Sequence, residues 1–90
     1  MWHEVGWTDE SEAHIARHGV SPAEVHQVLD SDPRLYRDSR DGTTLVFGTT
    51  YSGRHLIVVL ADSADGRDYV VTARPMTTTE KSAFQRKVKP

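Results

Sequence analysis

The chain predicts an α+β fold. It reads as two N-terminal helices, a small antiparallel β-meander and one C-terminal helix, in a single domain over residues 1–90. Three observations carry that reading. Two stretches, Ser21-Pro22-Ala23-Glu24 and Thr77-Thr78-Thr79-Glu80, have the pattern of a helix-opening capping box. Three turn dipeptides, Asp41-Gly42, Ser52-Gly53 and Asp65-Gly66, punctuate the middle of the chain at hairpin spacing. Between the last two lies Leu56-Ile57-Val58-Val59-Leu60, apolar on both faces, as a central strand covered on both sides must be.

The elements follow in order. Trp2 to Trp7 fits a short first strand. Helix one is expected from Asp9 to His18. Thr8 is its cap, and Asp9, Glu10 and Glu12 suit the positive end of its dipole. Its apolar residues are few (Ala13, Ile15, Ala16), so it should lie at the surface and contribute little to the core. Gly19 can take the left-handed conformation that ends helices, and Val20 and Val25 are placed as a hydrophobic staple across the second cap. Helix two runs from Pro22 to about Asp30 with Val25, Val28 and Leu29 as its buried stripe, and Asp32-Pro33 stops it. Four strands follow: Arg34–Arg40, Thr43–Tyr51, Arg54–Asp62 and Arg67–Arg74. Strict alternation puts Val70, Thr72 and Arg74 on one face of the last strand, and Val71 and Ala73 on the other. The final helix is anchored by Ala83 and Phe84 with Val88 four beyond, and exposes Lys81, Arg86, Lys87 and Lys89.

Composition excludes several classes. The chain has no cysteine, so disulfides and thiolate metal sites are ruled out. No apolar run approaches the roughly 20 residues of a membrane-spanning helix, and the N-terminus lacks the features of a signal peptide. A soluble, cytoplasmic protein is expected. The net charge of −2 is uneven: residues 1–32 hold seven acids and one arginine, whereas residues 71–90 hold five cations and one acid. Such asymmetry suits partners of opposite charge, although two solvated helices would look the same.

Several residues could do chemistry. His14 and His18 share one helix face, four residues apart. They lack the adjacent glutamate of a zinc-protease helix, since Ile15 holds that place, so no metal site is expected. Each imidazole is either a half-exposed helix residue or an acid–base near neutral pH. Arg74 ends the last strand just before a helix N-terminus at Thr77, which makes either an anion site or an arginine paired with an acid. Arg40, Arg54 and His55 stand at strand ends, where phosphate contact competes with simple solvation. Tyr51 and Tyr69 could stack on bases or merely pack in strands. The chain has no Gly-rich phosphate loop, nucleophile elbow or dinucleotide fingerprint.

These residues resemble a family. Trp7-Thr8-Asp9-Glu10 leading to His14-Ile15-Ala16-Arg17-His18-Gly19-Val20-Ser21, with Asp32-Pro33 a helix later, looks like the N-terminal half of BrnT-type toxins. Val71-Thr72-Ala73-Arg74, Met76-Thr77 and Glu80-Lys81 look like that family's C-terminal strand end and helix. The resemblance covers nearly the whole chain and implies a RelE-like fold. It implies an endoribonuclease, independent of metal or cofactor, that cleaves mRNA and blocks translation. It also implies a partner, a ribbon-helix-helix antitoxin of BrnA type, and is compatible with a homodimer inside the toxin–antitoxin complex. Carried over, it makes Arg17, His18 and Arg74 catalytic candidates; to these the residue types and positions themselves add His14 or His55 as further proton carriers, and Arg54, His55, Arg40 and Lys81 as RNA contacts. Many members have a lysine shortly after the tryptophan and an asparagine four before the corner histidine; this chain has acids or Ser11, and His14. Those departures favour a competing class, a catalytically inactive RelE-like interaction module. A non-catalytic nucleic-acid-binding protein, resting on the basic last helix alone, ranks third.

Overall fold

The computed structural model describes residues 5–39, 41–62 and 68–88. Its elements are helices α1 (Asp9–Arg17) and α2 (Pro22–Asp30), strands β1 (Leu35–Asp38), β2 (Thr43–Thr49), β3 (His55–Asp62) and β4 (Asp68–Pro75), and helix α3 (Thr78–Val88). The strands form one antiparallel sheet in sequence order, β1-β2-β3-β4, so the α+β meander holds. No helix among the described residues is long and apolar enough to cross a membrane.

Local chemistry sets the helix ends. Thr8 caps α1 by accepting from the Ser11 amide at 3.0 Å, and Ser11 returns the bond to the Thr8 amide at 2.9 Å. The helix stops one residue sooner than expected, at Arg17, with His18 as cap. Gly19 takes φ 71°, and the amides of Gly19 and Val20 bond back to Ala16 and Ile15. This is a Schellman stop, and only glycine takes its left-handed residue cheaply. Val20 and Ile15, the apolar pair that closes such a stop, are both buried. The second cap forms as expected: Ser21 accepts from the Glu24 amide at 3.2 Å, and Glu24 accepts from the Ser21 amide at 3.1 Å.

The sheet divides the core in two. On one face α1 and α2 cover Val46, Leu56, Val58, Leu60, Val70 and Ala73, together with their own Ile15, Val25, Val28 and Leu29. On the other face α3 covers only Phe47 and Ile57 with its Phe84, while Leu35, Leu45, Met76 and Val88 are partly buried around them. Helix α2 sits directly on the backbone of β2. A Cβ on Gly48 would lie 2.6 Å from Ser31 Oγ and 3.1 Å from the Val28 carbonyl oxygen.

Four expectations change. Helix α1 does contribute to the core, because Ile15 is 1% exposed. One large aliphatic at the right phase suffices when the other faces are solvated. The first strand reduces, among the described residues, to a single parallel bridge from Gly6 to Tyr69; Trp2, His3 and Glu4 lie outside them. In β4 the alternation breaks. Val59 pairs with Thr72 but Leu60 pairs with Val70, so Val71 bulges out. The extra residue shifts the phase and puts Val70 and Ala73 on the same core face, with Thr72 and Arg74 on the α3 face. Finally, in the turns only the glycines have positive φ, 82° at Gly42 and 93° at Gly53. Asp41 instead accepts from the Thr43 hydroxyl at 2.7 Å, a local bond that shapes a longer loop. Asp65-Gly66 lies outside the described residues.

Candidate functional site

The start of β3 and the end of β4 meet at one end of the sheet, where Leu56 pairs with Pro75 and the Met76 amide donates to the His55 carbonyl at 3.0 Å. The helices converge there. Chain direction explains this. The parallel bridge at Gly6 lays α1 alongside β4, so its C-terminus arrives at the Arg74 end. Helices α2 and α3 both begin at the same end, one after the Gly19 corner and the other after Met76.

Two arginines hold this end together in the same way. Arg54 binds both carboxylate oxygens of Glu24, at 2.9 and 2.7 Å, and the Gly19 carbonyl at 3.0 Å. Arg74 forms a two-pronged pair with Glu80, at 2.7 and 2.8 Å, and reaches the Pro75 carbonyl at 3.2 Å. Each glutamate is also the last residue of a capping box. Glu80 accepts from the Thr77 amide at 2.8 Å, and the Glu80 amide donates to Thr77 Oγ1 at 3.2 Å. One carboxylate thus caps a helix and clasps a strand-end arginine. The Arg74 guanidinium holds the Glu80 carboxyl down from 4.5 to about 2, and Glu80 in turn raises Arg74. Glu24 is lowered first by its bond to Arg54 and then by the Ser21 amide.

Of the two readings open for Arg74, the structure shows the paired one. Its guanidinium faces α3, opposite Ile57, whereas α1 packs on the other face of the sheet. No hydrogen bond or ion pair among the described residues joins Arg74 to His14, Arg17 or His18. These groups share an end of the sheet but approach it from opposite sides. Arg17 and His18 are exposed at the α1 terminus. His14 stands one turn back, in a small cleft with Thr8, Ser11, Tyr69 and Val71. His55 sets its ring edge-on to Phe84, with centroids 6.0 Å apart, on the Arg74 side. Lys81 is exposed one residue past Glu80, and Tyr51 is 80% exposed at the β2–β3 turn. Arg40 lies outside the described residues.

Sequence reasoning found these two arginines but not their partners. Glu24 and Glu80 read only as caps. The available signal was a capping box following an arginine-ended strand. Among the described residues no three of His, Asp or Glu group closely enough to hold a metal ion. Chemically, this end offers two guanidiniums, two helix N-termini and two nearby imidazoles, but an anion would have to displace a carboxylate to reach either arginine.

Comparison of the chain with family models finds no match, and comparison with curated proteins finds no significant one.

Proposed function

We propose that this chain is the toxin component of a toxin–antitoxin pair, an endoribonuclease that cleaves mRNA in the cytoplasm without metal and is held in check by a ribbon-helix-helix antitoxin. The observation that supports this reading is the gathering of Arg54, Arg74, His18 and His55, with two helix N-termini, at one end of the sheet.

Cleavage through the 2′-hydroxyl needs three things: a base to take its proton, positive charge on the phosphate as the 2′-oxygen attacks phosphorus, and an acid for the departing 5′-oxygen. Arg74 supplies the charge. The scissile phosphate takes the place of Glu80 in its two-pronged grip, an exchange of one oxyanion for another of similar geometry. Arg54 or Arg17 assists. His18 and His55 approach from the two sides of the sheet end and divide the proton transfers, with His14 one turn further away.

The test is induced expression of the chain beside its Arg74→Ala form, with growth followed and labelled total RNA run on a gel. The expected result is growth arrest with RNA loss, and a drop in cleavage of about a hundredfold or more for Arg74→Ala. Cleavage that survives the substitution removes Arg74 from the mechanism.

A second reading has its own support. Both arginines are already satisfied by carboxylates, as a scaffold that has lost its chemistry would keep them. In that reading the chain is a RelE-like interaction module. Normal growth and intact RNA from well-expressed, folded protein would favour it.

A further inference from the structure

The second face of the sheet is only partly covered. Between helix α3 and strands β1 and β2 lies an open cleft of about 440 Å³. Its floor and inner wall are Leu35, Leu45, Phe47, Ala83 and Phe84. Arg37 from β1 and Lys87 from the last turn of α3 stand at its outer side. The same two cations flank a smaller hollow just beyond, with Tyr36. Both are exposed, and neither forms an ion pair with any described residue. Two acids also border the cleft, Asp38 and Glu80, but Glu80 is engaged by Arg74 and the Thr77 cap.

We infer that this cleft docks a protein partner, which inserts an aliphatic or aromatic side chain flanked by carboxylates. The apolar floor provides the burial, and Arg37 and Lys87, offset only by Asp38, leave a positive rim that favours an acidic neighbourhood and hastens encounter. The chemistry argues against RNA. The Phe47 and Phe84 rings are only 6% and 3% exposed, so neither offers a free face for a base to stack on. It also argues against a second copy of this chain. Among the described residues its exposed large apolar side chains are Tyr36, Tyr51 and Val71; Tyr51 and Val71 have no acid within two residues, and Tyr36 stands beside Arg37 and Lys87 themselves.

The inference rests on the proposed toxin–antitoxin reading in one respect: the probe is a ribbon-helix-helix antitoxin of BrnA type, the partner that reading proposes. Binding is measured with that protein purified, against the full wild-type chain and an Arg37→Glu/Lys87→Glu double variant. Amide NMR shifts locate the contact and confirm that the variant is folded. The expected result is tight binding to wild type, with shifts centred on Leu35, Leu45, Phe47 and Ala83. The double variant should bind about a hundredfold more weakly, near tenfold for each reversed charge. Equal binding by both forms, or shifts elsewhere, would overturn the cleft and leave the toxin–antitoxin reading standing. No binding to wild type would remove that reading's partner and this inference with it. If a hexauridylate RNA moves the cleft amides and the ribbon-helix-helix protein does not, the surface belongs to RNA and the inference falls.

Discussion

The two faces of the sheet are built to different depths. Helices α1 and α2 seal one face with a cluster in which Val25, Val28, Val46, Leu56 and Val58 have no exposure. Helix α3 covers the other with a single fully committed side chain, Phe84, over Phe47 and Ile57. The sequence difference is plain: α2 presents three apolar residues at i, i+3, i+4, and α3 presents Phe84 with a half-buried Ala83 and Val88. The deep face holds the fold, and the shallow face is free to be used. At the end of the sheet the two sides meet again in a shared device, an arginine clasped by a capping glutamate, once for α2 and once for α3.

The difference in depth is tested first by truncation. Leu56→Ala should cost about 3 kcal/mol in urea unfolding, because a sealed site leaves a cavity. Phe84→Ala should cost no more than that, about 3 kcal/mol despite the larger side chain, because the cleft beside Phe84 lets water into the vacated site. If Phe84→Ala is the more costly, the shallow face carries more of the stability than its packing shows, and the contrast fails.

A second test adds volume rather than removing it. Gly48→Ala forces a methyl against Ser31 and the Val28 carbonyl, and should cost about 2 kcal/mol by overpacking. Alanine tolerated at wild-type stability would show that α2 is not seated as closely as the deep face requires.

The clasps separate at acid pH. The folded-state Glu80 carboxyl is held near 2, below its ordinary 4.5, so the unfolded chain binds the proton more readily in between. The stabilisation is therefore complete above about pH 5 and lost as pH falls toward 2. The pair is partly exposed, its side chains 38% and 29% accessible, so water screens it to about 1 kcal/mol. Glu80→Gln should remove that acid-sensitive part from a pH series of melting temperatures. Glu24→Gln should do the same more weakly, about 0.5 kcal/mol, because Glu24 meets one guanidinium nitrogen rather than two. Equal acid profiles for the two variants would erase the distinction between the clasps. In the nuclease reading Glu80→Gln should also loosen the hold on Arg74 and leave RNA cleavage at or above wild type; a loss of cleavage would mean that the carboxylate takes part in the chemistry.

Much of the architecture was legible because its signals are local. The Ser21–Glu24 and Thr77–Glu80 boxes, the Gly19 stop and the Val25-Val28-Leu29 stripe each depend on residues within a turn of one another. The apolar run in β3 announced its own central place. What escaped was set by distant partners. Nothing within β4 marks Val71 as a bulge; the slip exists only against Val59 and Leu60 across the ladder. Ile15 is one aliphatic in an acidic helix, and its burial depends on where that helix lands. The candidate site was legible as a set of residue types only. Arg54 and Arg74 stood out, but that each would be claimed by a glutamate 30 or 6 positions away is a property of the assembled fold.

The sheet is also a partition between charges. The acids Asp9, Glu10, Glu12 and Asp30 ride on the two helices of the deep face, while Lys81, Arg86 and Lys87 ride on the single helix of the other. A net charge of −2 therefore conceals a dipole directed through the thickness of the molecule. In a dilute buffer the protein should adhere to both cation- and anion-exchange resins near neutral pH, presenting opposite sides to each. An approaching polyanion would turn it α3-first before any contact is made, and that torque would fade once salt shortens the reach of the field to about 8 Å.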